Sequence, residues 1–125
     1  MFLQDKVLAG MSITQNEQMY LLQKGRTWLI RKYMATGHRL CVKAQILMLK
    51  LGKDRLFKDY VVRYELAPIA QVKLVEMKKR KLFAIFLENH QLSLIAQKKL
   101  DNPACSEMME EYLKHYDLHF RASKH

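Results

Sequence analysis

Tyr60-Val61-Val62-Arg63-Tyr64-Glu65-Leu66 is the stretch on which the reading of the fold turns. Tyr60, Val62, Tyr64 and Leu66 alternate with Val61, Arg63 and Glu65, the period of two expected of a half-buried strand. Working outward, Leu82 to Leu87 is a continuous apolar run followed by Glu88-Asn89-His90, and Leu92, Leu94 and Ala96 then alternate. Two apolar runs around three polar residues predict a hairpin. Upstream, Leu40 to Leu51 is apolar enough for a core strand and ends at Gly52-Lys53-Asp54. Ala70 to Glu76, after the strand-breaking Pro68, supplies another.

Met19 to Tyr33 has two readings. It forms two strands turning at Lys24-Gly25-Arg26, or one helix entered through a Thr14-x-x-Glu17 capping box. Gly25 in the middle of that helix costs about 1 kcal/mol against Ala, which favours the strands. At the other end the pattern changes to a helix over Asn102 to Tyr116. Asn102 suits the N-cap and Pro103 the first helical position. Cys105, Met108, Met109, Tyr112, Leu113 and Tyr116 make an amphipathic stripe. No repeat, low-complexity block or composition shift is evident, so the expectation is a mainly β domain closed by one C-terminal helix.

The chain has 125 residues, half of them apolar and 27% charged, the balance of a globular protein. That length is enough for one core without disulfides or metal. Lys and Arg number 22 against 12 Asp and Glu, a formal net charge of +10. Between Met19 and Leu100 acids are sparse; many gather near the C-terminus at Asp101, Glu107, Glu110, Glu111 and Asp117. Such a field concentrates anionic partners, whether acidic protein surfaces, anionic lipids or nucleic acid. Cys41 and Cys105 are far apart and outside any CxxC pair, so both read as buried free thiols. Asp5 and Lys6 interrupt the apolar start, and no apolar run suits a bilayer span. An intracellular setting is expected.

Seven candidate strands before one amphipathic helix resemble the pleckstrin-homology (PH) superfamily, whose members are seven-stranded β-barrels or sandwiches capped by a helix. Leu21-Leu22-Gln23-Lys24-Gly25, Trp28 and Arg31-Lys32-Tyr33 are similar to its opening hairpin. Phe57 to Ile69 is similar to the strand leading into the second sheet, and Lys81 to Ala96 to the closing strands. The resemblance gives a domain over 19–120, an N-terminal extension over 1–18 and a disordered tail over 121–125. It also implies an anionic ligand site at Lys24, Arg26, Arg31, Lys32, Lys50, Lys53 and Arg55. In some relatives the turn corresponding to Lys78-Lys79-Arg80-Lys81 contributes instead. Clustered ammonium and guanidinium groups there offer charge-assisted bonds to anionic oxygens. The final helix carries Tyr112 where the family usually has Trp, and the Trp28 to Arg31 spacing is one residue off the commoner pattern. An acidic protein partner is therefore favoured over a specific phosphoinositide membrane.

Catalysis has little to build on. His115 and His119 are four apart on a helix, a metal-chelating spacing, but no third ligand lies nearby. Nucleophile, phosphate-loop and zinc-protease motifs are all missing from the sequence. A non-enzymatic adaptor without metal or cofactor is expected, with a small nucleic-acid-binding component as the alternative. Tyr20, Trp28, Tyr33, Tyr60 and Tyr64 interleave with basic residues, as in proteins that stack bases, although aromatics at this period more often fill a core.

Overall fold

In the computed structural model, which describes residues 2–116, the described residues contain helices and no strand. The PH-like β-barrel is therefore overturned, and the fold is all-α. The elements are α1 (Leu3–Leu8), α2 (Gln15–Gln23), α3 (Thr27–Ala35), α4 (Val42–Lys50), α5 (Asp54–Arg63), α6 (Pro68–Met77), α7 (Arg80–Asn89), α8 (Leu94–Lys99) and α9 (Ser106–Leu113). The tail expected over 121–125 lies outside the described residues.

The decisive stretch explains the correction. Tyr60 and Val61 are consecutive and both fully buried, which a strand with one buried face does not allow. Val62, expected on the face of Tyr60, is 61% exposed. Leu56, Phe57, Tyr60 and Val61 instead follow the i, i+1, i+4, i+5 stripe of a helix. Leu82, Phe83, Phe86 and Leu87 repeat that stripe inside α7, so the second strand run is also helical. Pro68, read as a strand breaker, occupies the first position of α6, where its missing N–H has no helical partner to lose.

The opening hairpin is replaced by two helices. Thr14 and Glu17 form the capping box in full: the Glu17 amide donates to Thr14 Oγ1 at 3.1 Å, and the Thr14 amide to Glu17 Oε1 at 2.8 Å. Gly25 does not interrupt a helix but follows the end of α2, with φ +72°. Its cost inside a helix was therefore charged to the wrong place; in the left-handed region glycine is the favoured residue.

The helices obey a repeat of 26 or 27 residues that the sequence reading missed. Gln18, Gln45, Gln71 and Gln97 are each buried near the start of the first helix of a hairpin. Each donates Nε2 to the carbonyl five residues earlier, at Ile13 (3.3 Å), Leu40 (2.9 Å), Leu66 (2.8 Å) and Leu92 (2.9 Å). In the second helix, Tyr33, Tyr60, Phe86 and Tyr112 are the corresponding buried rings. The turn inside the hairpin takes a left-handed residue at Gly25, Gly52 and Lys78, with φ +72°, +69° and +57°. Helices of nine or ten residues are marginal alone. Within each unit, packing between successive hairpins supplies what such short helices lack, as α2 on α4 and α6 on α8 do.

The chain's contacts divide into two compact units, Met1–Tyr60 and Val61–His125. In the first, α2 packs on α3 and α4, and α1 packs on α3. Gln18 Oε1 accepts from the Cys41 amide at 2.8 Å, which ties the start of α2 to the start of α4. The hydroxyls of Tyr33 and Tyr60 accept from the buried Ile13 and Leu40 amides, at 3.2 and 3.3 Å. Lys6 pairs with Glu17 at 3.0 Å, joining α1 to α2.

In the second unit, α6 packs on α8 and α7 on α9. Gln71 Oε1 accepts from the Ser93 amide at 2.7 Å near the start of α6 and α8, and Lys99 meets Glu76 at 3.0 Å near their ends. The two helices therefore run parallel. Asn102 does act as a cap, accepting from the Ala104 amide at 2.9 Å, but over a 3-10 turn at Pro103–Cys105 that precedes α9. α9 then ends at Leu113, which is 53% exposed rather than part of the buried stripe, and α9 packs on α7 rather than capping a barrel. Of the two thiols, Cys105 is buried and Cys41 is only partly covered.

Candidate docking surface

The turn inside each hairpin is where chain direction reverses, and in three hairpins those turns are basic. In the first unit, Lys24 closes α2 and Arg26 is the N-cap of α3. Lys50 ends α4, Lys53 immediately precedes α5, and Arg55 lies in its first turn, beside the acidic Asp54. Lys24, Arg26, Lys50 and Arg55 are exposed, and Lys53 is half-buried. The Lys24 ammonium lies 5.8 Å from the centroid of the half-exposed Tyr20 ring, a cation–π arrangement.

Two other residues of the predicted site sit elsewhere. Arg31 and Lys32 lie further along α3, away from the turn. Arg31 is held by Asp59, with Nε to Oδ2 at 2.8 Å. On a helix these two adjacent residues point about 100° apart rather than to opposite faces as on a strand.

In the second unit, Lys78, Lys79, Arg80 and Lys81 span the turn from α6 into α7. Lys78, Lys79 and Lys81 are exposed. Arg80 turns inward, bonding Glu111 Oε1 at 2.9 Å and approaching Glu110 at 3.7 Å. The Arg80 guanidinium, with help from His115 and Lys114, holds the Glu111 carboxyl below the usual glutamate range against the opposing effect of burial. Beside Lys78, a hollow of about 220 Å³ is lined by residues 104–108, among them Cys105 and Glu107.

Eight of these side chains, Lys24, Arg26, Lys50, Lys53, Arg55, Lys78, Lys79 and Lys81, enter no ion pair among the described residues. At α3 and α7 the first turn has no acid, so the basic residues there oppose the helix dipole. An exposed charge at a helix end is worth about 0.3–1 kcal/mol, here with the unfavourable sign. Helix stability does not account for Arg26, Lys79 and Lys81, whereas Lys24, Lys50 and Lys78 stand at helix C-terminal ends, where a cation is favoured.

One feature of the surface was absent from the sequence reading. Between α2 and α4 of the first unit lies an open cleft of about 300 Å³, lined by Met19, Lys43, Ile46, Leu47 and Lys50. α4 buries Ala44, Gln45, Met48 and Leu49 on one side and leaves Ile46 and Leu47 partly exposed on another. The sequence signal was an α4 segment apolar over more than one stripe, which a strand assignment conceals.

Among the described residues no three metal-ligating side chains cluster. His115 Nε2 lies 3.2 Å from Glu111 Oε2, while His119 lies outside the described residues. No helix among the described residues is long and apolar enough to cross a membrane. No family model matches the chain, and neither a curated protein nor a solved structure matches it.

Proposed function

We propose that this chain is a non-catalytic helical-repeat module that docks an acidic protein segment on the basic turns of its hairpins. The observation that carries the reading is the recurrence of unpaired Lys and Arg at the same place in the repeat. Within the first unit two such turns, Lys24–Arg26 and Lys50–Arg55, recur one repeat apart, so one substitution pattern supplies two sets of exposed cations. Carboxylates meeting such a surface gain charge-assisted bonds while both partners remain largely hydrated, which favours fast, salt-sensitive association. The aromatic residues weighed as base-stacking candidates divide between core and surface: Tyr33 and Tyr60 are buried, whereas Tyr20 and Trp28 are half-exposed. That division withdraws Tyr33 and Tyr60 from base stacking and leaves Tyr20 and Trp28 as exposed rings beside the first basic turn.

The test compares three fluorescent or scattering probes: labelled poly-glutamate, labelled single-stranded RNA and phosphatidylserine vesicles, each at two salt concentrations. The reading expects poly-glutamate binding that weakens with salt and falls at least about tenfold when Lys24, Arg26, Lys53 and Arg55 are changed to Glu, corresponding to a small number of lost charge contacts. Tighter binding of RNA or vesicles than of poly-glutamate at equal salt would assign the surface to the other class of partner. Undiminished poly-glutamate binding by the charge-reversed protein would remove the basic turns from the account.

A further inference from the structure

Resting on that reading, we infer that the cleft between α2 and α4 takes the apolar anchor of the docked segment. Its occupant is a short acidic helix of a partner protein, with one large aliphatic or aromatic side chain between two carboxylates. Three features of the cleft set this chemistry. Met19, Ile46 and Leu47 give it an apolar floor, and Met is suited to fit anchors of different shape. Lys43 and Lys50 stand on the same helix at either end of that floor.

Seven residues along a helix rise about 10.5 Å. Carboxylates two turns apart on a partner helix match that span, and an apolar residue midway between them falls on the same face. The third feature is continuity, since Lys50 belongs both to the cleft and to the basic turns. A segment seated in the cleft therefore reaches the charged surface without a change of direction. Charge alone gives attraction with little selectivity; an anchor buried in the cleft adds affinity that salt does not remove.

The experiment uses a labelled helical peptide with Leu between two Glu residues seven apart, and a matched peptide in which that Leu is Ala. The anchored peptide is expected to bind at least about tenfold tighter, in line with burial of one aliphatic side chain. Leu47→Glu in the protein should abolish that advantage while leaving poly-glutamate binding at the turns in place. Equal binding of the two peptides, or an advantage that survives Leu47→Glu, would overturn the cleft assignment. Retained poly-glutamate binding would then leave the broader reading standing, whereas loss of all acidic binding by the wild type would end both.

A second measurement needs no variant. With methyl-labelled methionine in the wild-type chain, the anchored peptide should shift the Met19 methyl resonance and leave the buried Met34 and Met48 little changed. An unmoved Met19 contradicts the inference. So does a Met19 shift produced by raising the concentration of the chain alone, which would make a second copy the occupant.

Discussion

Gln71 Oε1 accepts from the Ser93 amide at 2.7 Å while its Nε2 donates to the Leu66 carbonyl at 2.8 Å, so one buried side chain serves two hairpins. Gln18 does the same between Ile13 and Cys41 in the first unit. Replacing Gln71 by Leu leaves a donor and an acceptor without partners. Each such group costs about 1–3 kcal/mol when it stays dry. Urea denaturation should therefore show a loss of about 2 kcal/mol or more for Gln71→Leu, against at most about 0.5 kcal/mol for the exposed Gln23→Ala. Ser93 supplies an internal contrast. Its hydroxyl is buried without a hydrogen-bond partner among the described residues, and Ala67 occupies the equivalent place one repeat earlier. Ser93→Ala should be neutral or stabilising.

The hairpin turn gives a second prediction. A left-handed residue other than Gly carries a strain of roughly 1–2 kcal/mol. A Cβ at Gly52 would meet nothing within 4 Å, so backbone strain alone sets the cost of Gly52→Ala. About 1 kcal/mol should be lost there. Lys78, the one described non-glycine residue with positive φ, already carries that strain. Lys78→Gly should recover part of it, offset by the greater freedom glycine gives the unfolded chain. Thermal unfolding of the two variants should therefore move in opposite directions.

Acid should weaken each unit through a different carboxylate. Glu111 is held below the ordinary range by Arg80 first, and Glu17 by the Thr14 amide first and then Lys6. A carboxyl whose folded pKa is depressed contributes stability above its unfolded pKa, about 4.3. That contribution disappears as pH falls through the lower folded value. The stability of the wild type should decline as pH falls below about 4.3 more steeply than that of Glu111→Gln. Equal slopes for the two proteins would remove Glu111 from the acid response.

Part of this molecule could be read from the sequence. The Thr14–Glu17 capping box and the Asn102 cap were recognisable because each depends on residues within a few positions. The basic turns at Lys24–Arg26 and Lys78–Lys81 also fell on turns, since charge and glycine punctuate helices and strands alike. The hairpin helices were misread for a local reason: in Tyr60 to Leu66 the side chains alternate in character, although burial follows Tyr60 and Val61 together. The repeat was hidden because its apolar positions interchange freely, as Leu56, Leu82 and Met108 do. Its most informative member is polar. A glutamine recurring every 26 or 27 residues inside an apolar segment marks a buried side chain with a fixed backbone duty.

The cleft was illegible for a further reason. Its apolar floor exists only once α2 and α4 are placed side by side, and residues 19 and 46 are brought together by the Gln18–Cys41 bond rather than by proximity in sequence. Arg31 and Arg80 show the reverse, since both looked available to a ligand and both are held by carboxylates of their own unit.

Helical hairpins recur every 26 or 27 residues, and a buried glutamine sets the register of each. Residue-resolved NMR of the labelled chain tests this most directly, through backbone carbon shifts and exchange of the glutamine side-chain amides. The account expects helical shifts across α2 to α9, and slow exchange at Gln18, Gln45, Gln71 and Gln97 compared with the exposed Gln4, Gln15 and Gln23. Extended shifts over Tyr60 to Leu66 and Leu82 to Leu87, or glutamine amides that all exchange at one rate, would contradict it.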